Sequence, residues 1–370
     1  MVSPRPAVQA LPAYRPGRNP ADLAREIGVD RAVKLASNEV AFPPLPAVIE
    51  ALAATAGETN RSPDTGAVVL TQALADRYGV EPSQVVVGCG AVTLCQQLAQ
   101  TYNDPGTSLA FAWRSFEMYP LLAQVAGARA VQVPLTPGRP GGPADTHDLE
   151  ALAAAIDAKT RVVFVCNPNN PTGTAVRRAE LERFLDVVPA TTLVVLDEAY
   201  REFVTDPEVP DGLEIMHGRP NVAVLRTFSK AWGLAGLRVG YLIAEDPAVA
   251  DAVRRTNVPF SVSMLAQAAA VAALASEVEV RSRCAAVVTE RDRLTAALRE
   301  RGLVVADSQA NFVWLPVGEQ TASLAVALEA RAVITRPFAG EGIRVTVGTP
   351  DEDDVFLAAL DDVLATASAT

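Results

Sequence analysis

The chain of 370 residues is 49% hydrophobic and 20% charged, which gives it room for a large buried core and about two domains. Its formal net charge of -11 opposes nucleic acid and anionic membrane surfaces as partners, because both repel an acidic protein at long range. Four cysteines without Cys-x-x-Cys spacing and only two histidines, His147 and His217, argue against a disulfide framework, a metal site or a histidine-based triad.

The amino-terminal Met1-Val2-Ser3-Pro4-Arg5-Pro6 lacks an apolar signal core. The most apolar later stretch, Met264 to Ala275, is broken by Gln267 and too short to span a bilayer, so a cytoplasmic protein is expected. Residues 1–33, rich in proline, read as an arm that packs on a smaller second domain. Between roughly residues 80 and 245, short apolar runs alternate with helical patterns. The runs are Val85–Val87, Leu109–Phe111, Ala130–Val133, Val162–Val165, Leu193–Leu196, Val222–Leu225 and Val239–Ile243. This predicts an α/β fold, a mostly parallel seven-stranded sheet with helices on both faces. Pro137 to Pro143 reads as a surface loop inside a large domain of residues 34–275. A long charged helix, Glu277 to Arg301 closed by Gly302, and strands around Asn311–Leu315 and Ile343–Val347 then predict a smaller α+β domain over 276–370.

Ligands of an open parallel sheet bind beyond the carboxyl ends of its strands, so the residues after each apolar run carry the functional information. Gly88-Cys89-Gly90-Ala91-Val92 follows the first run and opens a helical pattern; its glycines let a backbone approach a ligand, or simply make a tight turn. Cys166-Asn167-Pro168-Asn169-Asn170-Pro171-Thr172-Gly173 forms a rigid turn that can aim an asparagine amide into a cleft. Asp197, ending a fully buried strand, needs a cation, either an arginine or a protonated ring nitrogen. Thr227, Ser229 and Arg238 can close on a phosphate.

Only three lysines, Lys34, Lys159 and Lys230, stand against 29 arginines. Arginine cannot form a Schiff base, so a lysine in so arginine-rich a chain points to chemistry. Lys230, in Thr227-Phe228-Ser229-Lys230-Ala231-Trp232-Gly233, places an amine at a strand's carboxyl end.

Amine, carboxylate, asparagine and phosphate cradle together describe pyridoxal phosphate bound as a Schiff base, the carboxylate keeping the pyridine nitrogen protonated. Asn169-Asn170-Pro171-Thr172-Gly173, Asp197-Glu198-Ala199-Tyr200 and the segment 227–240 resemble the fold-type I aminotransferases, over essentially the whole chain. Lys34-Leu35-Ala36-Ser37-Asn38-Glu39 and Ile343-Arg344-Val345-Thr346-Val347-Gly348 resemble the histidinol-phosphate aminotransferase branch. The resemblance implies that Lys230 holds the cofactor and shuttles a proton, Asp197 pairs with the pyridine nitrogen, and Asn170 and Tyr200 bond the ring's phenolic oxygen. It assigns the phosphate to Ser229, Arg238 and the backbone of Gly90, Ala91 and Val92. Phe116 falls where the family stacks an aromatic ring on the cofactor, or is a core phenylalanine. Arg344, with Asn38, would clamp the substrate α-carboxylate, the alternative being a structural salt bridge. Ser62 departs from the family's tyrosine that reaches the neighbouring subunit's phosphate, which leaves that cross-subunit contact in doubt within the homodimer the family forms.

The implied reaction is a ping-pong transamination between an amino acid and a 2-oxo acid, 2-oxoglutarate being the expected acceptor. The segment Phe111 to Pro120 with Val125-Ala126-Gly127-Ala128 is similar to actinobacterial aromatic (phenylalanine) aminotransferases, so phenylalanine and tyrosine lead. Tyr14, Phe116 and Trp232 are candidates to line a ring pocket, or only pack the interdomain interface. Histidinol phosphate is the alternative, with Arg336 near its distal phosphate. A pyridoxal-phosphate lyase or decarboxylase would use the same residues, while a regulator would bring a basic DNA-binding domain that this chain does not show.

Overall fold

The computed structural model describes residues 2–4, 6–11, 18–137 and 145–368. Tyr14 and nearly all of the expected loop at Pro137–Pro143 lie outside them. Strands β1 (Val85–Gly88), β2 (Ser108–Trp113), β3 (Arg129–Pro134), β4 (Thr160–Cys166), β5 (Leu193–Asp197), β6 (Val222–Thr227) and β7 (Gly240–Ala244) form one sheet. Their spatial order is β1-β7-β6-β5-β4-β2-β3. β7 runs antiparallel to both neighbours and the remaining pairs are parallel.

Helices cover both faces, which explains the unbroken apolar runs. Alternate side chains enter different cores: Val85, Val87, Val163 and Val165 join one, and Val86, Val162 and Phe164 the other. At the end of β1, a Cβ on Gly88 would come within 2.6 Å of Leu94 on helix α1 (Ala91–Tyr102), so the missing side chain lets helix and strand close up. Helix α2 (Met118–Ala126) follows β2.

Beyond helix α3 (Met264–Ala275), the 24-residue helix α4 (Glu277–Glu300) ends before Gly302 at φ 78°, where a left-handed residue stops it. A three-stranded antiparallel sheet then forms in the order β9-β10-β8, from β8 (Phe312–Leu315), β9 (Arg336–Phe338) and β10 (Gly342–Thr346). Helix α5 (Pro350–Ser368) closes the chain's described part. Val33–Lys34 pairs in parallel with Val333–Ile334, a ladder too short to leave a periodic signal in the sequence.

Part of the amino-terminal segment lies against this carboxy-terminal region: Arg18 bridges Glu329 at 2.8 Å, and Leu23, Ala24 and Ala32 pack with Ile334. Earlier residues also touch the large sheet's helices. The carbonyl of Ala7 accepts from Gln124 Nε2 at 2.7 Å, because the four-residue helix Pro6–Gln9 cannot satisfy its own carbonyls and finds a donor on α2 instead. Among the described residues no helix is long and apolar enough to cross a membrane, and no cluster of His, Cys, Asp or Glu could hold a metal ion.

Candidate active site

The carboxyl ends of β4, β5 and β6 open on a cavity of about 270 Å³, closed on its far side by Arg336 of β9, Arg344 of β10 and the segment Ala36-Ser37-Asn38. β5 ends in Asp197, which is 4% exposed. The hydroxyl of Tyr119, on α2, donates to its Oδ2 at 2.6 Å, while Oδ1 is buried with no hydrogen-bond partner among the described residues. Burial pushes this carboxyl up to about 6, although the Tyr119 hydroxyl and the Ala199 amide oppose the shift. No described arginine bridges Asp197, so the protein does not supply the first of the two partners left open by the sequence.

β6 delivers Thr227 and, just beyond it, Ser229 and Lys230. Lys230 Nζ donates to the carbonyl of Ser37 at 3.0 Å. Burial, and after it the charge of Arg344, pulls this amine down to about 7, so a large share of it is unprotonated at neutral pH.

An anion cradle lies at the start of α1. Gly90, at φ 80°, provides no side-chain cap, and Ala91 and Val92 line the cavity with first-turn amides that have no intrahelical acceptor. A Cβ on Gly90 would fall 2.5 Å from Arg238 Nη2, so glycine is what lets that guanidinium close over the helix start. Arg238 itself sits at φ 57° and donates to Ser229 Oγ at 3.2 Å. Such a left-handed conformation costs energy outside glycine and persists where the surroundings over-determine it.

Asn38, at φ 53°, is fixed by four hydrogen bonds to three residues. Its N–H donates to Thr346 Oγ1 at 2.9 Å, its Oδ1 accepts from the same hydroxyl at 3.0 Å, its carbonyl accepts from Asn311 Nδ2 at 3.1 Å, and its Nδ2 donates to the Tyr200 hydroxyl at 3.0 Å. Arg344 is buried, with Nη2 on the Ala36 carbonyl at 2.6 Å and Nη1 on Asn170 Oδ1. Phe116 lines the cavity and meets Tyr119 edge-on, ring centres 5.5 Å apart.

The fold thus brings together Asn38, Ala91, Val92, Phe116, Asn170, Asp197, Tyr200, Thr227, Ser229, Lys230, Arg238, Arg336 and Arg344 around one space, with Gly90 directly behind it. Trp232 is a correction: it does not line the cavity, because its ring packs on Phe228 and Arg77 and its indole N–H donates to Glu202 at 2.9 Å. Ser62 is exposed at the surface of this chain.

Sequence reasoning missed Tyr119, Glu117 and a supporting network in which Ser115 and His147 both donate to Asn169 Oδ1, at 2.8 and 3.0 Å. An amide oxygen only accepts, so the neutral His147 carries its proton on Nε2; burial pulls this histidine down to about 4. The spacing of Phe116 and Tyr119, three residues apart at a helix start, was the available signal for one shared face.

The family model for aminotransferase class I and II matches residues 30–360. The chain belongs to the class I and II aminotransferases. This aminotransferase is 56% identical over 353 residues to an aromatic amino acid aminotransferase of Streptomyces avermitilis, covering 95% of each chain. It is 55% identical over 354 residues to one of Thermobifida fusca, again covering 95% of each. In structure it is similar to a histidinol-phosphate aminotransferase from Sinorhizobium meliloti crystallised with pyridoxal-5'-phosphate, at TM-score 0.88 and 30% identity over 99% of both chains. The cavity of this aminotransferase therefore lies in a fold shared with that cofactor-bound enzyme.

Proposed function

We propose that this aminotransferase moves the amino group of an aromatic L-amino acid, phenylalanine or tyrosine, to a 2-oxo acid such as 2-oxoglutarate, with pyridoxal phosphate as cofactor. The observation that carries the reading is the pairing of Lys230, an amine lowered to about 7, with a buried and unpartnered Asp197 oxygen on one cavity. A lone buried carboxylate oxygen is costly unless a cation meets it, and a protonated pyridine nitrogen is such a cation. The cradle at Gly90 has no room for a Cβ, which suits a phosphate held by backbone amides and a guanidinium. These residues fit pyridoxal phosphate. The choice of aromatic substrates rests on the relatives of that name at 56% and 55% identity.

When bound, the cofactor supplies an electron sink for the charge left as the substrate's α-proton departs. Lys230 would hold it covalently and take and return that proton through Nζ. Asp197 would keep the pyridine nitrogen protonated, and Asn170 and Tyr200 would bond the ring's oxygen. Thr227, Ser229, Arg238 and the amides from Gly90 to Val92 would hold the phosphate, with Phe116 against the ring. Arg344 and Asn38 would orient the α-carboxylate, a planar fork matching two carboxylate oxygens.

The proposed organisation is a cytoplasmic homodimer, with residues 34–275 as a large domain, 276–370 as a small one and 1–33 as an arm. A second substrate reading, histidinol phosphate, is favoured by one observation, the position of Arg336 on the cavity wall.

The test is kcat/KM for L-phenylalanine and for L-histidinol phosphate, side by side with 2-oxoglutarate. Phenylalanine is expected to win; preference for histidinol phosphate would overturn the aromatic assignment, and an enzyme that reacts with neither would overturn transamination of both.

A further inference from the structure

Arg336 and Arg344 are directly opposite each other in the antiparallel pair β9–β10. Opposed residues put their side chains on one face at close range, and two like charges so placed repel. Both guanidiniums reach the cavity, and both stand about 6 Å from the buried ring of Phe338, at 5.9 Å each. Their surroundings differ. Arg344 donates to the Ala36 carbonyl and to the Asn170 amide oxygen. Arg336 instead directs Nη2 at both oxygens of Glu117, at 3.0 and 2.8 Å.

Glu117 is the residue after Phe116 and the one before helix α2, and it lines the same cavity. Its side chain keeps 42% exposure against 22% for Arg336, so the pair sits at the cavity's wet edge and not in the core. A carboxylate at a helix start is favoured by the helix dipole.

We infer that Glu117 is a specificity-determining residue: it neutralises Arg336 and sets a negative charge at the distal end of the substrate site, so that the enzyme accepts a neutral side chain and rejects one ending in a phosphate. The inference rests on the proposed transaminase reading and deepens it. A distal phosphate dianion would have to displace Glu117 from Arg336 and then lie beside the displaced carboxylate in a partly desolvated site. An aromatic ring needs no such exchange. The same wall that suggests phosphate recognition by Arg336 therefore works against it in this chain.

The experiment is a single-turnover half-reaction with the holoenzyme and no oxo acid, following the cofactor's absorbance after mixing with L-phenylalanine or with L-histidinol phosphate. The quantity read is the ratio of second-order rate constants for the two amines in wild type, Glu117→Gln, Glu117→Ala and the double variant Glu117→Gln/Arg336→Gln. Both single variants are expected to lower the phenylalanine-to-histidinol-phosphate ratio by about tenfold or more, through a faster reaction of the phosphorylated amine. The double variant is expected to lose that gain, since the phosphate's cation is gone. A ratio within about threefold of wild type in both single variants, or a gain that survives in the double variant, overturns the inference. These failures are separate from failure of the functional reading, in which wild type itself prefers histidinol phosphate or reacts with neither amine.

Discussion

The Tyr119 hydroxyl donates to Asp197 Oδ2 at 2.6 Å, and this bond decides which carboxylate oxygen is left for the cavity. Tyr119 is itself fixed, stacked on Phe164 with ring centres 4.6 Å apart and planes 8° from parallel. The bond favours the ionised carboxylate and so opposes the burial that, even with this bond, holds the carboxyl up at about 6. Tyr119→Phe removes the donor without changing the ring's packing, so Asp197 holds its proton to higher pH. Cofactor affinity of the wild-type apoenzyme is expected to weaken as pH falls through about 6. In the variant that weakening should begin about one pH unit higher, a charged hydrogen bond being worth about 1.5–3 kcal/mol. Titrating apoenzyme with pyridoxal phosphate at several pH values measures it; superimposable profiles would remove Tyr119 from this role.

Lys230 gives a prediction about stability alone. Its amine is lowered from an ordinary 10.5 to about 7, so the folded apoenzyme disfavours a proton that the unfolded chain accepts. The resulting penalty is absent above about pH 10.5, grows as pH falls and is fully present below about 7. Lys230→Met, of similar length and uncharged, should therefore melt higher than wild-type apoenzyme near pH 7, by about 2 °C or more. That gain should shrink as pH rises toward 10. Thermal melts of the two apoenzymes at pH 7 and pH 10 check both the sign and the trend.

Much of the site was legible because its residues follow apolar strands in sequence: Asp197 after Leu193–Leu196 and Lys230 soon after Val222–Leu225 inherit their positions from the sheet. Strand identity was legible for the same reason, burial on both faces leaving unbroken apolar runs. The antiparallel course of β7 was not, since its residues are buried on both faces exactly as a parallel strand's are. Contacts between distant segments were also hidden. Glu117 and Arg336 are 219 positions apart, and their pairing depends on how β9 and α2 come together, which no local pattern encodes. Trp232 misled because aromatic character near Lys230 says nothing about which side of the turn it faces.

Arg344 tests the proposed carboxylate clamp. Arg344→Lys keeps a charge but loses the fork, and it leaves Asn170 Oδ1 and the Ala36 carbonyl to share one ammonium. Losing a bidentate charge-assisted contact should lower kcat/KM for phenylalanine by about 10²–10³-fold, mainly through KM. Cofactor absorbance should persist. Steady-state kinetics on Arg344→Lys and Arg344→Gln measures this, and a KM near wild type in both variants would move the carboxylate site elsewhere.

Immediately beyond Asp197, a buried ion network holds the ends of β5 and β6 together. Arg226, the residue before Thr227, reaches Glu198 Oε2 with Nε at 3.0 Å and Nη2 at 2.7 Å, and Asp211 Oδ1 at 2.6 Å. Glu198 also accepts from the Gly212 N–H at 2.7 Å, where a Cβ on Gly212 would collide with the same carboxylate. Side-chain exposures of 5% for Arg226 and 2% for Glu198 mean that water cannot replace a lost partner. Arg226→Met should therefore destabilise the apoenzyme by about 3–5 kcal/mol, most of it the cost of a stranded Glu198 charge and not the worth of the pair itself. Arg226→Met/Glu198→Gln removes that charge while its amide oxygen still accepts from Gly212, so the double variant should be more stable than the single one. The single variant's deficit should also diminish as pH falls toward 4, because a protonated Glu198 no longer needs a cation, whereas the double variant should show little of that dependence. Urea denaturation of the apoenzymes of Arg226→Met, Glu198→Gln and the double variant at pH 7 and pH 5 distinguishes these outcomes: simple addition of the two single-variant effects would mean that Arg226 acts through packing, and recovery in the double variant would place its role in the charge.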